Sequence, residues 1–442
     1  MSVLRALGAH LANASVTAPT RARLALHLLD GLGALLAGAG LPEAARLRAL
    51  FADRNDAEAR LIVRVGSMRA GEIDDIHTAS ATTAAAVILP VLLSQIAARA
   101  NAGAAPRADD IAAAMQAGYG AMSWLGEALG GPRLLAQGIW PTYLLAPLGA
   151  AATAARLWRL DPTTTAHALA IALCRISGGP GRHGGATDDA TTPRWLLLGE
   201  AARAGLAAVT AAACGYQADL GLLDDDWITR VHAITPVNLA APMAADGGVD
   251  GLSLKPVAAA KQTLAALDGF RALAVPPEAI AGVRVGVPAQ FVEMIGHCRT
   301  HSRTDRLISL PYLLSLAAHA PAELDDFARS LAPDATMTRF MQSVEVRADD
   351  QLTSLFPRYW PASVRIDLRG GGSRQMLVRA APGDPSRPLG EAEILAKFTR
   401  LLAGCATSAQ TGALAEAALA SLEDDTGGAR LLAALAEIGF TD

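Results

Sequence analysis

Residues 71–90 read GEIDDIHTASATTAAAVILP, and the rest of the chain is organised around them. Glu72, Asp74, Asp75 and His77 crowd together and then give way to an apolar run. If residues 72–77 are helical, spacings of three and four bring Glu72 beside Asp75 and Ile76, and Asp74 beside His77. Like charges at that range raise the proton affinity of one carboxyl group, and a carboxylate beside His77 favours its imidazolium. The same residues also read as first-turn acids near a helix N-terminus, with His77 bonded to a neighbouring carbonyl.

The 442 residues suffice for two domains, or for one large helical body carrying a smaller insertion. Hydrophobic residues make up 52% of the chain against 18% charged, and the excess is alanine and leucine, which predicts helices packed through small side chains. The formal charge of -4 is dispersed, which excludes the basic footprint a nucleic acid demands. Lys255, Lys261 and Lys397 are the only lysines. Cys174, Cys214, Cys298 and Cys405 are far apart and lack metal-ligand spacing, so buried free thiols and no metal site are expected. The apolar run at 84–93 is too short for a bilayer and contains Pro90. Arg5 and His10 interrupt the first residues, so no signal peptide is expected, and a soluble cytoplasmic protein is.

Residues 20–50 carry Leu24, Leu28, Leu32 and Leu36 at four-residue spacing, with Gly31, Gly33 and Gly38 allowing close approach, and this predicts one packed helix. LIVRV at 61–65 reads as a strand or extended connection. Helices are predicted over 82–98, broken or kinked near Pro90, and over 109–129. GIWPT at 138–142 is a turn before a small-residue run, with Trp140 reading as a packing aromatic. The glycine-rich stretch 177–192 is a long loop bearing Arg182, His183, Asp188 and Asp189, without phosphate-loop spacing. Arg194 opens a helix predicted over 195–213; there it suits either a bound anion or pairing with Asp188 or Asp189. AADGGVDG at 244–251 reads as a hinge. Beyond it, VRVGV, SVEVRA, SVRIDL and RQMLVRA alternate as strands do, the last two forming a hairpin through Gly370, Gly371 and Gly372. From Pro388 the pattern is helical again. The fold class is therefore mainly α, with a helical domain from residues 1–245 and 389–442 and an α+β lid inserted at 250–388.

Six segments carry a resemblance: EIDDIH at 72–77, GIWPT at 138–142, RWLLLGEAA at 194–202, LKP at 254–256, SLPY at 309–312 and PLGEAEILAKF at 388–398. In that order they resemble the D-x-D-D-T-H, G-F-H, K-x-L-H-x-G-x-A-A, K-P, F-S-L-P-Y and closing P-L segments of the MmgE/PrpD family, over residues 25–402. That family includes 2-methylcitrate dehydratase, cis-aconitate decarboxylase and iminodisuccinate epimerase. The resemblance implies a cleft between a helical domain and a lid, usually in a homodimer, acting on a small molecule without metal or cofactor. It implies catalytic roles for Glu72, Asp75, His77, Lys255 and Tyr312, and substrate contacts at Asp74, Trp140 and Arg194, with Lys261 and Gln262 as additions in the lid.

The departures bear on mechanism. Glu72 replaces an aspartate and Ile76 a threonine; a second histidine is missing near Ser80, Thr82 and Thr83. Trp140 stands for a histidine, Arg194 for a lysine and Leu264 for a further histidine. A site that exchanges histidines for Trp140 and Leu264 loses donor groups that a citrate-type substrate needs. Trp140 instead supplies an apolar wall suited to a flat or aromatic substrate, and Arg194 a planar anion partner. The expected activity is a lyase of dehydratase or decarboxylase type that removes a proton next to a carboxyl, thioester or imine group. Glu72 or His77 serves as base, and Tyr312 or Lys255 as proton donor. An isomerase or epimerase using the same enolisation is the alternative, and a non-catalytic binding descendant a third reading. Self-association through apolar helical surface is expected; nucleic acid and membrane are not.

Overall fold

The computed structural model describes residues 2–54, 56–177 and 193–440. The fold is mainly α, with 59% helix and 8% strand. At its centre lies the helix Ala18–Ala39, whose Leu24, Leu28, Leu32 and Leu35 are wholly buried. Close packing around it depends on glycine: a Cβ on Gly38 would stand 2.3 Å from the Ser67 carbonyl oxygen in the neighbouring helix Ala57–Ala70. The helix ends at Gly40, and Pro42 opens a separate helix, Pro42–Leu50, so residues 20–50 form two helices rather than one.

LIVRV at 61–65, read as a strand or extended connection, lies inside Ala57–Ala70, started by the Asp56 carboxylate accepting from the Ala59 backbone N–H at 2.9 Å. Its apolar run is a buried helical face, which a five-residue window cannot tell from a strand. The helix Ala85–Asn101 continues through Pro90 without a break. The helices Ala108–Ala128, Pro141–Leu157 and Pro193–Ala213 complete this layer. Ala18–Ala39 and Pro193–Ala213 are long and apolar enough to cross a membrane; 72% and 50% of their apolar windows are buried inside the protein.

The C-terminal helices Glu391–Leu402, Ser408–Ala420 and Gly427–Glu437 return to this assembly. Phe398 packs fully buried near Gly33, and Lys397 donates to Asp30 Oδ1 at 2.6 Å and to the Ile73 carbonyl at 3.0 Å.

A second apolar core gathers around a four-stranded sheet. Ile280–Val287 pairs in parallel with Val344–Ala348 on one side and antiparallel with Ala362–Leu368 on the other; Ser373–Val378 forms the edge. The last two strands make the expected hairpin, with Gly371 and Gly372 at φ 90° and 78° in its turn. Helices Lys261–Ala272 and Leu310–His319 share this core.

Residues 72–77 are not helical. Glu72 sits at φ 52°, and Ile76–His77 pairs antiparallel with Leu252–Ser253, joining Ile76 to Ser253 and His77 to Leu252. Spacing of two, not three or four, therefore decides which side chains share a face. All four cysteines are exposed rather than buried.

Candidate active site

A cavity of about 1070 Å³ separates the helical layer from the sheet and its helices. The helical layer contributes Arg69, Glu72, Trp140, Arg194 and Trp195, while the opposite wall brings Lys255, Lys261 and Gln262. Glu72 lies on its wall. Arg69, at the end of Ala57–Ala70, donates to Glu72 Oε1 at 2.7 Å and to Asp74 Oδ1 at 3.1 Å. Lys255 Nζ donates to Glu72 Oε2 at 3.3 Å and to the Glu72 carbonyl at 3.2 Å, and stands 3.7 Å from Asp74 Oδ1. Arg194 Nη2 approaches Glu72 Oε1 at 3.9 Å. The left-handed backbone of Glu72 is costly for a residue with a Cβ, and these charge contacts hold it in place.

Electrostatics divides the carboxylates. Burial favours the neutral form of Glu72, but Arg69, Lys255 and Arg194 together outweigh it and hold the group well below the usual carboxylate range. Asp74, wholly buried one step behind, is pushed up to about 6: burial exceeds the pull of Arg69 and Lys255, and the charges of Glu72 and Asp75 add to it. Burial also lowers Arg194 to about 10, with Glu72 resisting and Arg69 reinforcing, so the guanidinium remains charged at neutral pH.

Asp75 and His77 face the other way. The Asp75 carboxylate accepts from the Tyr119 hydroxyl at 2.8 Å and the Ala85 backbone N–H at 3.2 Å, and lies 3.2 Å from His27 Nδ1. His77 Nδ1 lies 2.9 Å from the Ser80 hydroxyl, and a Cβ on Gly251 would stand 2.3 Å from its Nε2. Burial pulls His77 down to about 4 against the opposing charges of Asp75 and Asp246, which leaves the imidazole neutral at pH 7. Neither residue lines the cavity. The helical pairing of Glu72 with Asp75, and of Asp74 with His77, is therefore replaced by an alternation that sends Glu72 and Asp74 one way and Asp75 and His77 the other.

Tyr312 does not reach the cavity either. Its hydroxyl donates to the Leu331 carbonyl at 2.7 Å, and its ring is wholly buried in the core around the sheet. Lys261 lines the cavity but pairs closely with Asp384, which also accepts from the Ser253 hydroxyl at 2.7 Å. Leu264 is buried in the sheet-side core. The long loop with Arg182, His183, Asp188 and Asp189 lies outside the described residues, as do both aspartates weighed as partners for Arg194.

Sequence reasoning missed Arg69, Trp195 and Arg303. Arg69 stands three residues before Glu72, a spacing at which opposite charges meet. Arg194 lies with its guanidinium carbon 3.8 Å from the centre of the Trp195 ring, and Arg69 lies 5.8 Å from Trp140 and 6.0 Å from Trp195. Arg303 fastens the strained turn by donating to the Ala70 carbonyl at 2.7 Å. Together these residues make an ionised carboxylate beneath a cationic, aromatic-walled chamber, an arrangement able to hold an anion and accept a proton close by.

The chain matches two family models: the MmgE/PrpD N-terminal domain over residues 6–235 and the MmgE/PrpD C-terminal domain over residues 256–421. No curated protein matches the sequence.

Proposed function

The chain belongs to the MmgE/PrpD family, and from that premise we propose that it is a cofactor-independent lyase. It removes a proton next to a carboxyl, thioester or imine group of a small molecule other than citrate. The observation that carries this reading is Glu72, a buried carboxylate at the cavity wall contacted by Arg69, Lys255 and Arg194.

A carboxylate held this acidic is a weak base until its cations are drawn away. An incoming substrate anion does that: by engaging Arg194 it takes one favourable charge from Glu72, displaces water and raises the proton affinity of the carboxylate beside the substrate carbon. Glu72 then accepts the proton, and the C–H electron pair forms an enolate whose oxygen is stabilised by Lys255. In a dehydration, collapse of the enolate forms the double bond and breaks the bond to the leaving hydroxyl. That hydroxyl takes the proton back from Glu72 and departs as water, leaving Glu72 ionised for the next turnover. The neutral His77 and the packed Tyr312 take no proton in this scheme. Asp75 is a positioning residue that fixes the segment behind Glu72.

Mass spectrometry in deuterated water, with a panel of hydroxy acids, thioesters and imino acids, tests the reading against a Glu72→Gln control. Loss of water or carbon dioxide by the native protein alone supports the lyase. Deuterium gain without loss of mass from the carbon skeleton assigns the same site to an isomerase or epimerase. No change with any member of the panel, or equal turnover by Glu72→Gln, overturns the proposal.

A further inference from the structure

The cavity has more room, and fewer unmatched buried cations, than a polycarboxylate calls for. At about 1070 Å³ it lies just above the range of roughly 300–1,000 Å³ typical of pockets for drug-sized ligands. Its buried cations are nearly all matched. Arg69 and Lys255 engage Glu72 and Asp74, Lys261 pairs with Asp384, and Arg303 is taken up by backbone carbonyls and lies 3.6 Å from Glu43. Arg194 is the exception. It is 9% exposed, and no described residue accepts a hydrogen bond from its Nε or Nη2. Its Coulomb partner Glu72, at 3.9 Å, is beyond hydrogen-bonding range. One such buried guanidinium matches one carboxylate; the remaining basic side chains on the lining, Arg46, Arg299 and His301, are exposed or half-buried, and Arg299 stands 3.7 Å from Asp305.

The walls also carry a concentration of aromatic side chains. Aromatic residues are 4% of the chain, yet Trp140, Trp195, Phe291, Phe356 and Trp360 all line this cavity. They form two groups. Trp140 and Trp195 meet edge to face at 6.4 Å next to Arg194, and Phe291, Phe356 and Trp360 cluster at 5.2–5.6 Å on the sheet side. Such surfaces favour a flat apolar body and gain nothing from hydrated carboxylates.

We propose that the substrate is a monocarboxylate bearing a flat, apolar, aryl-like body, with its carboxylate on Arg194 and that body against Trp140 and Trp195. This rests on the cavity being the substrate site of the lyase reading, and it is read by binding alone, so its fate separates from that of the chemistry. Isothermal titration of the full chain with trans-cinnamate, acetate and citrate tests it. Cinnamate is expected to bind at least roughly tenfold more tightly than either of the others, as one ring contact of about 1.4 kcal/mol requires. Trp140→Ala should remove most of that advantage while leaving acetate unchanged, and Trp140→Phe should restore part of it. Arg194→Ala should weaken cinnamate and acetate alike. Citrate binding as tightly as cinnamate, no measurable cinnamate binding, or an advantage that survives Trp140→Ala in a folded protein would each overturn the proposal. None of those outcomes bears on Glu72-dependent turnover of another substrate in deuterated water, which tests the lyase reading separately.

Discussion

Glu72 and Asp74 share Arg69 and Lys255, yet their proton affinities move in opposite directions, and that split gives the first predictions. An acid whose folded proton affinity exceeds its unfolded one costs stability as pH rises from its ordinary value of 3.8 through about 6. Glu72 runs oppositely: its contribution is present above its ordinary 4.5 and is lost as pH falls. Asp74→Asn, which keeps the shape and removes the buried charge, should therefore raise thermal stability at pH 7.5 by roughly 2–3 kcal/mol and change little at pH 4. Melting curves at the two pH values check this; an unchanged or lower midpoint at pH 7.5 counts against the raised proton affinity. Arg194→Ala should raise KM by roughly 10–100-fold with a smaller loss of kcat if the guanidinium holds the substrate carboxylate equally in ground and transition states. A fall confined to kcat would move Arg194 into transition-state stabilisation. At this scale the sequence singled out a segment whose Glu72 lines the cavity, but read its local geometry wrongly. Residue types marked 72–77, whereas the left-handed turn at Glu72 and the pairing of 76–77 with 252–253 are long-range facts no local spacing encodes.

Lys255 is placed by an element that the sequence barely announces. Leu252–Ser253 is a two-residue strand, and its continuation is fixed by the Leu254 backbone N–H donating to the Gly383 carbonyl at 2.9 Å. Gly383 has φ 89°, and a Cβ there would lie 1.9 Å from the Leu254 carbonyl oxygen. Gly383→Ala must therefore push residues 254–255 out of position as well as strain the turn. A loss of roughly 1–3 kcal/mol in stability is expected, together with a fall in turnover larger than that caused by Gly370→Ala, where a Cβ meets nothing within 4 Å. Parallel melting and activity measurements on the two variants decide it, and equal effects would remove Gly383 from the positioning of Lys255. The longer elements were more legible. The hairpin through glycines 371 and 372 announces itself by alternation and turn residues, and the helix Pro193–Ala213 by its length and apolar content. Residues 61–65 and 20–50 misled because apolar runs do not carry their own period, and because a short Gly40–Pro42 signal alone marks the break between Ala18–Ala39 and Pro42–Leu50.

Across the whole molecule, a buried ion pair links the C-terminal helices to the segment that carries Glu72. Lys397, on Glu391–Leu402, reaches Asp30 on Ala18–Ala39 and the Ile73 carbonyl, one residue from Glu72. Burial lowers the proton affinity of Lys397 and raises that of Asp30, while their attraction opposes both shifts. The chain's order, helices then sheet then helices, made the return of the last segment legible. The reason for a lysine within a helix that packs on Gly33 was not, because its partner lies 367 positions away. Removing only the cation leaves a buried carboxylate uncompensated, so Lys397→Met should cost roughly 3–5 kcal/mol, whereas Asp30→Asn combined with Lys397→Met should recover much of that loss. The two variants separate structure from chemistry. If the C-terminal helices serve only to close the core, the double variant regains stability and turnover together. If Lys397 also fixes the Ile73 carbonyl and thereby the strained turn at Glu72, the double variant melts near the native protein but turns over more slowly. Chemical denaturation and steady-state rates of both variants settle which holds, and a single variant as stable as the native protein would show that the pair does not bind the chain's end to its site.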